Sequence, residues 1–496
     1  MNTTLQSKTN DFLNASLIGG KWCSGSAGTF EVRSPETREV LHTIGRCSAA
    51  DVELAVAAAK AAFPTWAATS VNERATLLRN VHRLFVERAE EIAQMIVAEV
   101  AKPISASREE TFEYSAPSWG KAAEEILRYR GMLLPSTQEN TINKRLVLGH
   151  RPLGPVGVIT PYNFPTDISS IALSHIVAAG NTIVWKPTEY CPAACAMVAE
   201  LFAEAGLPDG VINVVQGLGD TGAAIVEHKG IKGIFFTGST GTGKQIAIKS
   251  ALKPQLLELG GDGPLIVLED ADIDAAVEGA IVGCFYYSGQ VCTSAERLLV
   301  HTAVYDEFLE KFRAAMGGLK IGDAALEETD MGPLCNEATL ERVREHVSEA
   351  VAKGASIEQF GPEKDLYYPA TLLTGVTTDM LISREETFGP VAPVIKIQSA
   401  DEAVAIANES ELGLVASLWT RDIGRAWRIA EALPHGTVNV NETCNYWDQL
   451  APFGGAGNSG VGRELSRWFL DSFTESKLIC FDLGGERGDR RVAGGW

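Results

Sequence analysis

The nonapeptide GQVCTSAER, from Gly289 to Arg297, contains the residue with the clearest chemical potential, Cys292. Residues 275–287 before it have the spacing of a buried helix, and residues 298–301 after it are typical of a strand. The thiol therefore lies at a junction between two elements, where it could act as a nucleophile. A cysteine can equally pack as a small buried apolar residue, and the segment alone leaves both interpretations open.

A glycine-rich turn, TGSTGTGK, follows the strand predicted at residues 231–236. It precedes a helix whose amino end would offer N–H groups and a positive dipole to an anion. Its glycines, Gly238, Gly241 and Gly243, lack the usual dinucleotide spacing. The turn is nearly a P-loop, but Gln245 stands where Ser or Thr would bind Mg²⁺. A P-loop phosphohydrolase is therefore one alternative.

Strands and helices alternate along most of the chain, which favours a parallel, doubly wound α/β sheet. Nucleotides bind at the carboxyl ends of such strands. A second α/β unit begins where Glu258 precedes two glycines and another buried strand. Three helical patterns lie at residues 48–63, 72–88 and 89–100, and a fourth spans about 106–130. The acids Glu109, Glu110 and Glu113 of the fourth helix are predicted to form a solvated face, with selection of a cationic substrate as the alternative.

Composition narrows the functional classes. The 496-residue chain has 43 basic and 63 acidic residues, and its net charge of −20 disfavours binding to nucleic acid or anionic membranes. The nine cysteines are scattered singly, which favours a reducing cytoplasm. Neither a leader-like apolar segment nor a membrane span is predicted. Cys191 and Cys195 lack a histidine cluster, so we predict helix packing there and no metal site.

Seven motifs together carry a resemblance to a known family. They are TPYNFP at Thr160, WKPTE at Trp185, FTGSTGTG at Phe236, LELGG at Leu257, GQVC at Gly289, EETFGP at Glu385 and PFGGAGNSG at Pro452. In this order and spacing they resemble the non-phosphorylating, NAD(P)-dependent aldehyde dehydrogenase superfamily, over nearly the whole chain. The resemblance implies a Rossmann-type doubly wound cofactor domain, a second α/β catalytic domain and a small β oligomerisation element.

The resemblance also implies domain boundaries. The cofactor domain comprises residues 1–131 and 152–257, the catalytic domain 258–445, and the oligomerisation element 132–151 and 470–490, while 446–469 returns to the cofactor domain. Relatives pair the strands corresponding to residues 143–151 and 477–483 across subunits, which implies a homodimer or homotetramer.

The catalytic residues implied by the resemblance are Cys292, Glu258 and Asn163. The Cys292 thiolate would attack the aldehyde carbonyl, and the Asn163 amide with the Cys292 N–H would stabilise the oxyanion. Glu258 would be the general base for hydrolysis of the thioester, giving a carboxylic acid. A non-catalytic binding protein with this fold is the alternative, since a sequence does not show that the three residues converge.

The cofactor site implied by the resemblance binds NAD, with NADP as the alternative. Lys186 and Glu189 would bind the adenine-ribose hydroxyls, and the Glu189 carboxylate would repel a 2′-phosphate. Glu386 would bind the nicotinamide ribose. The full implied set is Thr160, Pro161, Lys186, Glu189, Gly219, Phe236, Thr237, Gly238, Ser239, Glu386 and Phe388.

The substrate pocket implied by the resemblance is mainly apolar and aromatic, and comprises Ile168, Ile171, Tyr286, Val291, Thr293, Tyr446, Trp447 and Phe453. It predicts an aromatic or medium aliphatic aldehyde. No arginine is evident there, which counts against phosphorylated and semialdehyde substrates, although a semialdehyde stays among the alternatives. Asp448 beside Tyr446 and Trp447 leaves an aminoaldehyde or betaine aldehyde open.

Two positions depart from the family pattern. Many relatives have lysine at the positions of Ala172 and Asp262, so a proton relay through the first lysine is in doubt. His175 could replace that lysine, but a packed histidine is the favoured interpretation.

Overall fold

The computed structural model describes residues 13, 15–138 and 143–483. It contains two large mixed sheets with helices on both faces. Parts of the predicted cofactor domain (residues 1–12 and 14) and of the predicted oligomerisation element (139–142 and 484–490) lie outside the described residues.

The strands are short and numerous. In chain order they are β1 Ser16–Ile18, β2 Lys21–Cys23, β3 Thr29–Arg33, β4 Val40–Gly45, β5 Met132–Leu134, β6 Lys144–Pro152, β7 Pro155–Ile159, β8 Thr182–Lys186, β9 Ile212–Val214, β10 Gly233–Thr237, β11 Gln255–Glu258, β12 Pro264–Val267, β13 Arg297–His301, β14 Ser356–Phe360, β15 Ala370–Thr374, β16 Val391–Ile397, β17 Leu412–Gly413, β18 Val415–Trp419, β19 Thr437–Val440, β20 Ala456–Gly457, β21 Gly460–Val461 and β22 Thr474–Asp482.

The helices cover both faces of the two sheets. They are α1 Ala49–Ala68, α2 Val71–Val100, α3 Ile104–Arg108, α4 Ala116–Arg128, α5 Asp167–Ala178, α6 Pro192–Glu204, α7 Gly219–Glu227, α8 Thr240–Lys249, α9 Ile273–Phe285, α10 Tyr305–Gly317, α11 Glu337–Ala352, α12 Ala400–Ala407, α13 Ile423–Ala432 and α14 Ser466–Ser472, with a π-helix at Glu109–Ser115 and 3₁₀ turns at Tyr286–Gly289 and Leu381–Ser383.

The first sheet has the order β2-β1-β9-β8-β7-β10-β11-β21. Its five central strands, β9, β8, β7, β10 and β11, are parallel to one another. The antiparallel strands β1, β2 and β21 lie at its edges. Strands β7, β8 and β10 are nearly all apolar because helices cover both faces. The predicted doubly wound cofactor sheet is confirmed.

The second sheet has the order β14-β15-β16-β13-β12-β18-β19 and is parallel apart from β14. It is the second α/β unit that the sequence predicts. Strand β21 of the chain's last part pairs with β11, so the glycine-rich tail lies against the end of the first sheet.

Two predicted helical segments differ from the structure. Residues 72–88 and 89–100 form one continuous helix, α2, because Ala89 is fully buried in the middle of its apolar stripe. The helix predicted over 106–130 is interrupted by the π-helix, where the wider turn changes which side chains face inward. As a result Glu110 is fully buried, and the predicted solvated face is wrong at that residue.

A smaller sheet, β22-β6-β5, projects several apolar side chains into solvent: Met132, Leu133, Val147, Leu478, Ile479 and Phe481. Among the described helices, none is long and apolar enough to cross a membrane.

Candidate active site

Two cavities meet at the carboxyl ends of β7, β8, β10 and β11. The larger has a volume of about 600 Å³ and is lined by all the residues predicted to bind the cofactor: Thr160, Pro161, Lys186, Glu189, Gly219, Phe236, Thr237, Gly238, Ser239, Glu386 and Phe388. The smaller has a volume of about 130 Å³. Three side chains, Cys292, Glu258 and Thr237, line both cavities.

The smaller cavity is lined by seven of the eight predicted substrate-pocket residues, Ile168, Ile171, Tyr286, Val291, Thr293, Trp447 and Phe453. Tyr446 is the exception: it is 52% exposed and does not line this cavity. The irregular chain there turns its neighbours Asn445 and Trp447 toward the cavity and Tyr446 toward solvent. Asp448 is also exposed, and its carboxylate accepts the N–H of Leu450 at 2.7 Å.

The loop that carries Cys292 is fixed by an unusual turn. Tyr287, Ser288 and Gly289 all have left-handed backbone angles, a conformation that costs free energy and persists only where surrounding contacts impose it. The Tyr287 hydroxyl donates to the carbonyl of Val100 at 2.9 Å, and the Ser288 hydroxyl donates to that of Gly332 at 2.7 Å. These bonds hold the thiol at the wall shared by the two cavities.

The thiol is surrounded by acidic groups. Burial raises the pKa of Cys292 well above its ordinary value, and the charges of Glu386, Glu258 and Glu464 raise it further. A neighbour must therefore take its proton before the sulfur can act as a thiolate nucleophile.

Asn163 is buried next to the thiol loop and lines the larger cavity. Its side-chain N–H donates to the carbonyl of Gln290 at 3.0 Å, which leaves the second amide hydrogen without a bond among the described residues. The backbone carbonyl of Asn163 accepts from the Lys102 ammonium at 3.1 Å.

Lys102 belongs to an ion pair beneath this loop. Both it and Glu110 are fully buried, and their side chains are 2.7 Å apart. The other carboxylate oxygen of Glu110 accepts the N–H groups of Thr166 and Asp167 at 2.9 and 3.1 Å. The pair thus connects the π-helix region to the start of α5 and to Asn163.

Glu258 ends β11 and is almost completely buried. Neither carboxyl oxygen has a well-formed hydrogen bond among the described residues. Burial and the neighbouring Glu464 raise its pKa well above the ordinary value, while Arg463 and the N–H of Gly455 oppose part of that rise. Gly454 packs directly against this carboxyl group, where a Cβ would collide with it.

The two glycines after Leu259 make room for Glu386 and Cys292. The N–H of Gly261 donates to the Glu386 carboxylate at 3.1 Å. A Cβ at Gly260 would overlap that carboxylate, and a Cβ at Gly261 would overlap the carbonyl oxygen of Cys292. Glu296 accepts the N–H groups of Thr387 and Phe388 at 3.1 and 2.9 Å and so fixes the turn that presents Glu386.

At the other end of the larger cavity, the Lys186 ammonium is 3.0 Å from the Glu189 carboxylate. The hydroxyl of Ser239 caps α8 by accepting the N–H of Thr242. Residues of α7 and α8 line the cavity beside them. An extended ligand with a charged middle would meet the amino end of α8 here.

His175 and Asp262 do not face either cavity. His175 is buried, its ring nitrogen lies 2.9 Å from the carbonyl of Ile171, and burial lowers its pKa to about 4. Asp262 forms a buried ion pair with Arg297 at 3.2 Å. His175 is therefore a packed interior residue, and Asp262 is a partner in a structural ion pair.

Six residues of the smaller cavity were not predicted: Tyr114, Phe164, Asp167, Val282, Asn445 and Glu464. Glu109 was considered only in the alternative of acids that select a cationic substrate. Glu109 and Tyr114 lie on the π-helix, whose sequence is indistinguishable from that of an α-helix. Asp167 is two residues beyond the NFP segment that ends at Pro165, and this closeness is its one signal in the sequence.

Comparisons with known proteins agree with this geometry. The family described as "Aldehyde dehydrogenase family" matches residues 22–479, and the chain belongs to that family. It is 39% identical over 471 residues to a mitochondrial succinate-semialdehyde dehydrogenase of Oryza sativa subsp. japonica, covering 94% of this chain and 88% of that protein. It is 36% identical over 482 residues to the succinate-semialdehyde dehydrogenase [NADP(+)] of Escherichia coli, covering 96% and 99%.

Among solved structures, the NAD-dependent aldehyde dehydrogenase of Sinorhizobium meliloti superposes with a TM-score of 0.91 at 36% identity, covering 96% of this chain and 97% of that one. The predicted family, fold, enzyme class and use of NAD or NADP are confirmed. The chain is an NAD(P)-dependent oxidoreductase, so the P-loop phosphohydrolase and the non-catalytic binding protein are set aside.

Proposed function

We propose that the protein oxidises an aldehyde to a carboxylic acid, with Cys292 as nucleophile and Glu258 as general base. The observation that carries this proposal is the position of the thiol and the carboxyl group on the wall common to both cavities. A reacting carbon held there would be accessible from the substrate side and from the cofactor side at once.

The first step is attack of the Cys292 sulfur on the aldehyde carbonyl. Negative charge then develops on the substrate oxygen, where the remaining amide hydrogen of Asn163 and the N–H of Cys292 would stabilise it. An oxidised nicotinamide held beside Glu386 and Phe388 would supply the hydride acceptor, and loss of hydride from the thiohemiacetal would leave a thioester on Cys292. Glu258, after passing the thiol proton to solvent, takes a proton from the water molecule that hydrolyses the thioester, a role suited to a carboxylate with a raised pKa.

The larger cavity fits a dinucleotide. The amino end of α8 lies on its wall and suits a diphosphate. Lys186 and Glu189 would bind the adenine ribose, and Glu386 the nicotinamide ribose. The Glu189 carboxylate supports NAD over NADP, because it would repel a 2′-phosphate.

The names of the relatives support the semialdehyde alternative over an aromatic or medium aliphatic aldehyde. Against an anionic semialdehyde, no lysine or arginine lines the smaller cavity within the described part of the chain. We therefore propose an aliphatic aldehyde with a polar far end.

The quaternary structure and location are further proposals. The exposed apolar side chains of β5, β6 and β22 support a homodimer or homotetramer. All nine cysteines lie within the described residues and none forms a disulfide, which supports a cytoplasmic location.

The test is formation of reduced nicotinamide with NAD and with NADP, for the parent protein, Cys292→Ala and Glu258→Gln. We expect no turnover by Cys292→Ala. Glu258→Gln should give a single, slowed burst of reduced cofactor and a covalent acyl adduct visible by intact-mass measurement, because the thiol loses its proton acceptor and hydrolysis is blocked. Cys23→Ala, which removes a thiol remote from both cavities, is the control. Full turnover by Cys292→Ala would refute the mechanism.

A further inference from the structure

We propose that the smaller cavity binds the cationic end of the substrate, an ammonium or trimethylammonium group on a short aliphatic aldehyde. This inference rests on the proposed function and specifies the substrate class of the same site. A cationic substrate contrasts with succinate semialdehyde, the anionic aldehyde in the names of the two relatives given above.

The charge of the lining is the first argument. Four carboxyl groups line the smaller cavity, those of Glu109, Asp167, Glu258 and Glu464, and within the described residues no basic side chain does. The buried ammonium of Lys102 lies behind the wall and is paired with Glu110. An anionic substrate would find no basic partner on this wall, whereas a cationic group would find carboxyl oxygens to contact.

Unpartnered oxygens are the second argument. Asp167 and Glu464 are 2% and 6% exposed, and each has a buried carboxyl oxygen with no hydrogen-bond partner among the described residues. Buried acceptors of this kind are rare unless a ligand or water satisfies them. No cluster of His, Cys, Asp or Glu in the described residues could hold a metal ion, so an organic cation suits this site better.

Aromatic rings form the third argument. The cavity is walled by five of them: Tyr114, Phe164, Tyr286, Trp447 and Phe453. The Lys102 ammonium already lies 3.5 Å from the centre of the Phe164 ring, so one face of that ring is occupied. The Tyr114 and Trp447 ring centres are 4.7 Å apart, and Phe164 is parallel to Tyr286. The faces of such rings attract alkylammonium groups, most strongly where water is excluded.

Glu109 places a carboxylate beside two of the aromatic rings. Its two carboxylate oxygens accept the hydroxyls of Tyr286 and Tyr114 at 2.9 and 3.2 Å, so both phenols hold it at the cavity wall. The volume of about 130 Å³ is small, which limits the substrate to a short chain.

The test uses aldehydes of equal shape and different charge. Betaine aldehyde carries a trimethylammonium group, and 3,3-dimethylbutanal carries a tert-butyl group in its place. We expect kcat/KM for betaine aldehyde to exceed that for the neutral aldehyde by about tenfold or more. Succinate semialdehyde, which is anionic, should be the poorest of the three.

Glu109→Gln retains the shape and the hydrogen bonds to both phenols but removes the charge. It should reduce the ratio of the two kcat/KM values, mainly through KM for the cation. Glu113→Gln, an exposed acid on the same π-helix, is the matched control and should leave the ratio unchanged.

Calorimetry separates this inference from the proposed function. Choline should bind to the protein, and bind more weakly to Glu109→Gln, while neutral 3,3-dimethylbutan-1-ol should bind worse than choline. Equal binding of the two alcohols, or preference for a neutral or anionic aldehyde with Cys292-dependent turnover, would overturn the inference and leave the proposed function standing. If no aldehyde is turned over, the proposed function fails and the calorimetry still decides the inference.

Discussion

Replacing Lys102 by methionine would test the buried ion pair beneath the Asn163 loop. The substitution keeps the length of the apolar stem and leaves the fully buried Glu110 carboxylate without its cation at 2.7 Å. Removing one partner of a buried pair costs about 3–5 kcal/mol, because an uncompensated charge remains in the interior. We expect that loss in urea unfolding, together with a fall in kcat, since Asn163 also loses the bond to its backbone carbonyl.

A double-mutant cycle measures how much of the lost stability comes from the interaction between Lys102 and Glu110. Adding Glu110→Gln to Lys102→Met removes the orphaned charge while its amide oxygen can still accept from Thr166 and Asp167, so the double variant should recover part of the lost stability. The control is Arg313→Met, which breaks a half-exposed pair with Glu358 and should cost about 1 kcal/mol or less. Strictly additive losses in the cycle would refute the reasoning.

Three further predictions rest on the proposed mechanism, and a fourth on the proposed assembly. Glu464→Gln removes a like charge that raises the pKa of Glu258, so the acidic limb of the kcat profile should move to lower pH; an unmoved limb would argue against their coupling. Asn163→Ala should lower kcat by about 10²–10³ with little change in KM, measured in steady state. Glu189→Gln should raise the preference for NADP relative to NAD by about tenfold in kcat/KM, and an unchanged ratio would contradict its role. Ile479→Lys should reduce the mass found by light scattering, because it places a charge on the exposed apolar face of β22.

The fold and the central residues were predictable because their signals are local. Cys292, Glu258 and Asn163 each lie in a short motif. Asn163 follows β7 and Glu258 ends β11, and parallel strands bring their carboxyl ends together. Strand order and register are long-range properties, however. The return of the tail to pair with β11 and set Gly454 against Glu258 has no signal in the sequence of β11 itself.

The acids of the smaller cavity show where sequence reasoning fails. On an ideal helix, charged residues at 109, 110 and 113 favour a solvated face, and Glu113 is indeed exposed. The π-helix widens the turn there, so Glu110 enters the core and Glu109 reaches the cavity. Burying Glu110 becomes tolerable only because the Lys102 ammonium and two N–H groups contact its carboxylate, and the two N–H groups come from the distant start of α5.

The same crowding of acids explains how a thiol with a raised pKa can still be the nucleophile of the proposed reaction. Burial raises the pKa of Cys292 and the pKa of Glu258, and both side chains line the same wall. Moving a proton from the thiol to an ionised Glu258 leaves the net charge of the site unchanged, so the interior gains no additional charge. A carboxylate whose pKa is raised is also the stronger base, which brings the affinities of donor and acceptor closer together. Burial therefore raises the free energy of the Cys292 thiolate and also makes an ionised Glu258 a stronger base for the thiol proton.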